Sequence, residues 1–390
     1  MSLSEHQKQL VKASIPALVE HGEALTRHFY QIMFRDYPQV RAIFNQSHQS
    51  DGAQQRALAG AILAYARQID EPEALNGTID LIVNKHASLN ILPEHYSIVG
   101  NCLLQAMAEI LGEALSPELA ESWKAAYWQL ANLLIEREEA IYRARADQPG
   151  GWRGLRAFRV ARKQPESEII TSFYLEPVDG GPVMDFTPGQ YIGLDVTVDA
   201  EPMRRNYSLS DAPNGRTYRI SVKREPQGRV SNYLHDHVAL GDTLNLYPPS
   251  GSFTLRHGDH PVVLLTGGVG ITPAVAMLNA LVDSGRPVCF VHAATKQRHH
   301  AFRDHVDRLA RSHYHIKRCY LYDQADQGDD ADVYGRVNAE ILAQHLLPDS
   351  EVYFLGPVPF MREIQRLLKE VGVPQQRRHF EFFGPTQALE

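Results

Sequence analysis

The chain has 390 residues, which at about 150 residues per domain predicts two or three domains. Its 39 basic and 46 acidic residues give a formal net charge of −7, and no run of Lys or Arg is longer than a pair, so the basic surface of a nucleic-acid-binding protein is missing. Three cysteines, Cys102, Cys289 and Cys319, are too few and too scattered for a disulfide framework, a zinc ribbon or an iron–sulfur cluster. The first residues lack the apolar segment of a secretory signal, so we expect a cytoplasmic protein.

Residues 1–147 show helical periodicity. Apolar side chains recur at helical spacing at Tyr30, Met33 and Phe34, and again at Tyr127 and Leu130. Strand signals are scarce, and the segment ends in a Pro/Gly-rich linker. These features predict an all-α domain.

Residues 152–258 change to the period of strands. Short β-rich runs alternate with Pro/Gly turns, and one helix is predicted over residues 230–238. The predicted strands cover residues 158–162, 169–175, 190–196, 218–222 and 243–247. This spacing is typical of a small antiparallel β-barrel.

Residues 259–390 alternate strands with helices. The predicted strands cover residues 262–266, 287–292, 315–321 and 351–355. The predicted helices cover residues 273–283, 300–311, 338–345 and 358–371. Such alternation predicts an α/β domain with a parallel sheet.

Residues 261–282 carry no charge and are long enough to suggest a membrane span. The β-branched run 262–266, the glycine turn 267–270 and the pair Thr272-Pro273, which can cap and start a helix, favour a strand, a loop and a short helix instead. Such a loop presents backbone N–H groups to phosphate oxygens. A tight turn without a ligand is the alternative, because Pro273 stands where the dinucleotide fingerprint has a third glycine.

A second candidate site lies in the predicted barrel, at Arg205-Asn206-Tyr207-Ser208. An arginine can pair with a diphosphate, and a tyrosine can stack on a flat ring. Tyr191 precedes this motif in a Pro-Gly-Gln-Tyr turn. Each residue alone fits an ordinary strand, but their order together with the glycine loop is more specific.

Residues 152–390 resemble the ferredoxin-NADP reductase family through R-x-Y-S at 205–208, G-G-V-G-x-T-P at 267–273 and E-F-F-G-P at 381–385, which is similar to that family's terminal strand against the flavin. The resemblance implies FAD contacts at Tyr191, Arg205, Asn206, Tyr207, Ser208, Phe382, Phe383, Gly384 and Pro385. It implies a site for the pyrophosphate of NADH or NADPH at Gly267, Gly268, Val269, Gly270, Ile271, Thr272 and Pro273. In one departure, Leu355 precedes Gly356-Pro357 where the family often has Cys, near the expected nicotinamide ring.

The helical half places polar side chains on apolar helix faces. His86 shares a face with Ile82 and Leu89, and Glu138 is flanked by Leu134 and Ile141. A carboxylate is costly to bury without a hydrogen-bond donor, and the ring N–H of a metal-ligating histidine is such a donor. A hydrogen-bonded core histidine is the alternative.

This pattern resembles a globin, and in particular the haem domain of flavohaemoglobins. The matching segments are residues 28–30, 43–45, 54–58, 84–87, 93–96 and 136–138. Together with the reductase half, the resemblance covers essentially the whole chain. It implies a multidomain protein, with an all-α globin haem domain followed by an antiparallel β-barrel FAD domain and an α/β NAD(P)-binding domain.

On the proximal side, the resemblance implies that His86 ligates the iron of haem b. Tyr96 and Glu138 would form a hydrogen-bonded relay behind it that gives the imidazole more anionic character. Lys85 and Glu381 would lie near the junction of haem and flavin and tune electron transfer between them.

On the distal side, the resemblance implies that Tyr30 donates a hydrogen bond to bound dioxygen, with Gln54 and Leu58 completing the wall. Phe44 would pack on the haem face. Without the resemblance, the sequence favours a core residue over a catalytic one at Tyr30.

The implied activity is that of an NAD(P)H-dependent nitric oxide dioxygenase, which forms nitrate from nitric oxide and dioxygen. The alternatives are an oxygen-binding or oxygen-sensing globin whose reductase keeps the iron ferrous, and a haem–flavin reductase of lipid hydroperoxides. The implied partners are small molecules, with a lipid in the distal pocket as a further candidate, and neither a nucleic acid nor an obligate protein partner is expected. Glu138 favours redox chemistry, because a storage globin gains little from an electron-rich ligand.

Overall fold

The computed structural model describes residues 3–43 and 53–383, except for the side chains of Ala42, Ala53, Gln54 and Pro72. The contacts between residues divide the chain into two compact units. The first contains residues 1–147 and 199–204, and the second contains residues 148–198 and 205–390.

Within the first unit, the described part of residues 1–147 is helical. Its α-helices are α1 (Glu5–Ala13), α2 (Ile15–Asp36), α3 (Ala53–Arg67), α4 (Asn76–Ser88), α5 (Pro93–Leu111) and α6 (Pro117–Ala146). Helix α2 packs on α3 and α5, and buries Leu25, Phe29 and Met33 along one face, as the apolar periodicity requires. The predicted all-α fold is confirmed.

A curled antiparallel sheet follows, and all of its strand residues except 201–204 belong to the second unit. Its strands are β1 (Arg156–Pro165), β2 (Ile170–Pro177), β3 (Tyr191–Val198), β4 (Glu201–Ser208), β5 (Tyr218–Lys223) and β6 (Thr243–Leu246), with helix α7 (Arg229–Asp236) between β5 and β6. The strand order is β4-β3-β6-β1-β2-β5. An antiparallel bridge between Leu209 and Ile220 joins the two outer strands, so the sheet curls into the predicted barrel.

A parallel sheet follows in the same unit. Its strands are β7 (Val262–Gly267), β8 (Val288–Ala294), β9 (Ile316–Tyr322), β10 (Val333–Tyr334), β11 (Glu351–Leu355) and β12 (Arg378–Phe380). Its helices are α8 (Ile271–Leu281), α9 (Arg303–Ser312), α10 (Ala339–His345) and α11 (Val358–Glu370). The strand order is β10-β9-β8-β7-β11-β12, so the chain adds β8, β9 and β10 on one side of β7 and then β11 and β12 on the other. α/β sheets open a crevice for ligands at such a change of side, here between β7 and β11.

The uncharged stretch 261–282 forms β7, a short turn and α8, as predicted. Among the described residues, no helix combines the length and the apolarity that a membrane crossing requires. The predicted cap at Thr272 is wrong: α8 begins at Ile271, and the Thr272 hydroxyl donates to the Val269 carbonyl oxygen at 3.0 Å.

The terminal strand was predicted at residues 381–385. The structure places it earlier, at Arg378–Phe380, where it pairs in parallel with β11. The described residues after it, Glu381 to Phe383, are not in a strand, and Gly384 and Pro385 lie outside the described residues.

Candidate functional site

Three side chains from three different helices meet inside the first unit. His86 lies near the end of α4, Tyr96 in the first turn of α5 and Glu138 in the middle of α6. The Glu138 carboxylate oxygen Oε1 lies 2.7 Å from Nδ1 of His86 and 2.6 Å from the hydroxyl of Tyr96, and that hydroxyl lies 2.9 Å from the same Nδ1. Glu138 is only 2% exposed and Tyr96 6%. The two donors offset the cost of burying the carboxylate.

The direction of these hydrogen bonds fixes the tautomer of His86. An ionised carboxylate can only accept, so the Tyr96 hydroxyl and the His86 Nδ1–H both donate to Glu138. Burial, followed by the charge of Glu138, raises the pKa of Tyr96 far above its ordinary value, so the phenol keeps its proton. The proton on Nδ1 leaves the lone pair of His86 on Nε2, the nitrogen that a metal ligand needs.

This arrangement fits haem iron better than a bare metal ion. The His86 side chain remains 31% exposed although its Nδ1 is held by buried groups. No group of three or more His, Cys, Asp or Glu side chains that could hold a metal occurs among the described residues. Iron at His86 therefore requires further ligands, which a porphyrin provides.

Two further tyrosines, Tyr127 and Tyr142, support the relay, and neither was predicted from the sequence as a site residue. The Tyr127 hydroxyl donates to the backbone carbonyl of Tyr96, and the Tyr142 hydroxyl donates to that of Ile91 at 2.8 Å. Gly100 makes room for Tyr127, because a Cβ at Gly100 would lie 2.5 Å from the tyrosine ring. Tyr142 follows Glu138 by one helical turn, and that spacing was the available sequence signal.

On the predicted distal side, Tyr30 of α2 is 6% exposed and packs edge-on against Phe29 and in a stack with Phe34. Burial raises the pKa of Tyr30 well above its ordinary value, so its hydroxyl keeps the proton that it would donate. Leu58 of α3 packs on the same apolar cluster. Phe44 and the side chain of Gln54 lie outside the described residues.

The two predicted redox-tuning residues lie in different units. Lys85 is an exposed residue of α4, directly before His86, and Glu381 is a half-buried residue after β12.

Five of the predicted flavin residues lie at the start of β3 and the end of β4. Arg205 and Tyr207 alternate with Asn206 and therefore share one face of β4, and the Ser208 that follows is buried. Burial lowers the pKa of Arg205, and the like charge of Arg229 from α7 lowers it further. Two neighbouring guanidinium groups of this kind fit a diphosphate.

The aromatic residues of the predicted flavin site have different environments. Tyr191 is 7% exposed, and its ring fills the space beside Gly251, where a Cβ would lie 2.8 Å away. Phe382 packs on an apolar cluster of the parallel-sheet module, whereas Phe383 is 49% exposed. Of these three rings, that of Phe383 exposes the most surface to a flat ligand, whereas the rings of Tyr191 and Phe382 lie largely against protein.

The predicted nucleotide loop connects β7 to α8. A Cβ at Gly270 would lie 2.2 Å from the carbonyl oxygen of Leu355, and a Cβ at Gly267 would lie 3.0 Å from the ring of Phe360. Gly270 therefore allows the loop to pack on the end of β11, and Gly267 allows it to pack on Phe360 of α11. Gly268, with φ +53°, borders open space and leaves the backbone accessible to a phosphate.

The remaining predicted nucleotide residues differ in burial. Val269 is half-buried, and Ile271, Thr272 and Pro273 are buried in the first turn of α8. These residues can therefore reach a pyrophosphate through their backbone N–H groups at the helix N-terminus. Pro273 has no backbone N–H and cannot contribute one.

Three family models match the chain. They are Globin over residues 27–134, Oxidoreductase FAD-binding domain over residues 158–255 and Oxidoreductase NAD-binding domain over residues 264–366. Among known proteins, flavohemoproteins from Pseudomonas aeruginosa and a Burkholderia species are each 55% identical to this chain, and each alignment covers 100% of both sequences.

One solved structure matches nearly the whole chain, and another matches its reductase part. A flavohemoglobin from Malassezia yamatoensis, determined with bound FAD and haem, superposes with a TM-score of 0.86 at 26% identity and covers 98% of this chain and 100% of its own. The FAD/NAD-binding domain of a nitric oxide dioxygenase from Vibrio cholerae is 40% identical, has a TM-score of 0.56, and covers 59% of this chain and 99% of its own. The chain therefore belongs to the flavohaemoprotein family and is an oxidoreductase with haem-, FAD- and NAD-binding domains.

Proposed function

We propose that this flavohaemoprotein is an NAD(P)H-dependent nitric oxide dioxygenase, which converts nitric oxide and dioxygen to nitrate. The observation that carries the proposal is the buried contact of Glu138 with Tyr96 and His86. A carboxylate behind the ligand favours activation of dioxygen over reversible storage. The similarity to the reductase part of the Vibrio cholerae nitric oxide dioxygenase supports it.

When bound, NAD(P)H supplies a hydride, FAD divides it into single electrons, and haem b holds dioxygen for combination with nitric oxide. On the proximal side, Glu138 keeps the proton of His86 on Nδ1 and places a negative charge behind the ring. On the distal side, the Tyr30 hydroxyl would donate to the oxygen on which negative charge develops. We assign Phe44, Gln54 and Leu58 to the walls of this pocket, where a lipid would also bind.

In the reductase half, the guanidinium groups of Arg205 and Arg229 would neutralise the FAD diphosphate. We assign the other predicted flavin and nucleotide residues to their cofactors as described above, and Lys85 and Glu381 to the tuning of electron transfer. The proposed domains are a globin domain at residues 1–147, an FAD-binding barrel at 152–258 and an NAD(P)-binding domain at 259–390.

The test is a nitrate assay on the protein loaded with haem and FAD. The protein is reduced anaerobically with NADH and then mixed with dioxygen and nitric oxide. Each nitric oxide that combines with dioxygen takes up one electron to form nitrate, so each NADH should yield two nitrates. An oxygen-binding globin, whose reductase is not coupled to this reaction, would form about one nitrate per haem and then stop. A hydroperoxide reductase would oxidise NADH with a lipid hydroperoxide but not with nitric oxide.

A further inference from the structure

A line of polar contacts connects the antiparallel sheet to the parallel-sheet module within the second unit. Asp211 follows the flavin motif by three residues, Asn279 lies near the end of α8, and His305 lies in the first turn of α9. The Asn279 Nδ2 donates to the Asp211 Oδ1 at 2.7 Å, and the Asn279 Oδ1 lies 2.6 Å from Nε2 of His305. All three side chains are half-buried.

The chemistry of these groups sets the direction of each hydrogen bond. Asp211 is a carboxylate and only accepts, so the amide nitrogen of Asn279 faces it and the amide oxygen faces His305. His305 must then donate from Nε2. Burial lowers the pKa of His305, which favours the neutral ring, and the contact with the Asn279 Oδ1 places its single proton on Nε2. Each donor in the line therefore meets an acceptor.

The Asp211 end of this line is firmly held. Arg219 is 7% exposed, donates to the backbone carbonyl and the hydroxyl of Ser210, and lies 3.7 Å from the Asp211 carboxylate. The same guanidinium lies over the ring of Phe302, the residue that precedes α9, at 5.0 Å. Arg219 of the antiparallel sheet therefore contacts both Asp211 and the parallel-sheet module.

Helix α8 links this contact to the nucleotide loop. Asn279 lies eight residues beyond Ile271, the first residue of α8, which corresponds to about 12 Å of helix. A rigid helix therefore carries the nucleotide loop at one end and the contact with Asp211 near the other. Ile170 and Phe253 share an apolar cluster with residues of α8 and so also join the two modules, but apolar contacts are non-directional. Hydrogen bonds are directional and fix the rotation as well as the distance.

We propose that Asp211, Asn279 and His305 form a positioning relay, which holds the NAD-binding module against the FAD-binding sheet in the geometry that hydride transfer requires. The proposal rests on hydride transfer from NADH to FAD, which is one step of the proposed function. These are positioning residues: none of them is assigned to contact either cofactor. A misplacement of the reacting atoms by about 1 Å can slow a reaction on the order of a hundredfold.

The test measures anaerobic reduction of FAD by NADH in the full-length, cofactor-loaded protein. Asn279→Leu keeps the approximate size of the side chain but removes both hydrogen bonds. It should slow flavin reduction about tenfold while the Kd for NADH changes less than about twofold. His305→Leu should behave alike, whereas His305→Gln should retain nearly the parental rate, because the Gln amide can donate to Asn279. The control is Arg311→Ala, whose guanidinium donates to the backbone of its own helix α9.

Hydrogen exchange provides a readout that does not depend on turnover. Measured without NADH, amides of α9 should exchange faster in Asn279→Leu and His305→Leu than in the parent and in Arg311→Ala. The double variant Asn279→Leu/His305→Leu should be no slower in flavin reduction than Asn279→Leu alone, because both changes break one connected line.

A rate of flavin reduction in Asn279→Leu within about twofold of the parent would overturn the proposal, whatever the hydrogen exchange shows. If Asn279→Leu does not fold, the His305 pair decides: equal rates for His305→Leu and His305→Gln would overturn it. The proposed function fails by a separate result, in which the parent protein reduces FAD but forms no nitrate. The rate of flavin reduction tests the positioning relay whether or not the parent protein forms nitrate.

Discussion

Replacement of Glu138 by Gln tests the proximal relay most directly, because it removes the negative charge and keeps the size of the side chain. Glu138 is buried and accepts hydrogen bonds from His86 and Tyr96. A hydrogen bond to a charged group contributes about 1.5–3 kcal/mol, and one to a neutral group contributes about 0.5–1.5 kcal/mol. The bond from His86 should therefore weaken by about 1–1.5 kcal/mol. If the weaker hydrogen bond destabilises only the oxidised state of the haem, the haem potential rises by about 40–65 mV.

The assay combines potentiometry of the haem with resonance Raman spectroscopy of the ferrous form. The iron–histidine stretch should move to lower frequency in Glu138→Gln, while reduction of FAD by NADH stays unchanged. Glu136→Gln is the matched control, because Glu136 lies two residues earlier on α6 and is exposed. A different result is expected if Glu138 is only a buried helix residue. The variant would then be more stable, because a buried charge is removed, and both haem signals would equal those of the parent. That result would refute the relay.

Three further predictions concern other sites. Tyr30→Phe removes a hydroxyl from a buried side chain, and the lost hydrogen bond to dioxygen corresponds to about 1.5–3 kcal/mol. The reduced protein should therefore release dioxygen faster, with flavin reduction unchanged. An unchanged release rate would remove Tyr30 from the mechanism. Gly270→Ala would place a methyl group 2.2 Å from the Leu355 carbonyl oxygen and should destabilise the protein by about 1–3 kcal/mol in thermal unfolding. The control is Gly60→Ala, on α3 with open space around it, which should stabilise the protein by up to about 1 kcal/mol. Burial lowers the pKa of His292 from 6.5 to about 3. As the pH falls, His292 is therefore protonated in the unfolded chain before it is protonated in the folded protein. The free energy of unfolding should then decline between about pH 6.5 and 3 by up to about 1.4 kcal/mol per pH unit, and equal pH slopes for the parent and His292→Asn would contradict this.

Most helices and strands could be predicted because their signals are local. The predicted strand 351–355 coincides with β11, and the predicted helix 338–345 differs from α10 by one residue at its start. A strand buried on both faces and an amphipathic helix each show their period within one short window of sequence. β12 was misplaced, because a three-residue strand at a sheet edge is defined by its pairing with β11 rather than by its own residues.

The candidate sites show the same division between local and long-range information. Glu138 could be selected from the sequence because a carboxylate between Leu134 and Ile141 requires a donor once it is buried. The structure identifies the donors, which lie 52 and 42 residues away along the chain. The glycines of the nucleotide loop could be located but not fully explained. Gly270 allows packing on β11 and Gly267 allows packing on Phe360 of α11, and of the three loop glycines only Gly268 borders open space.

Asn279 carried a signal of the same kind as Glu138. It is the single amide side chain of α8, a helix that is otherwise almost wholly apolar, and an amide in such a setting requires both a donor and an acceptor nearby. Its partners Asp211 and His305 lie 68 and 26 residues away, so the sequence shows only that partners are required. In both cases a polar group on a buried apolar face marks a contact between elements that are distant in sequence. At Glu138 that contact orients a predicted metal ligand, and at Asn279 it joins the two halves of the reductase.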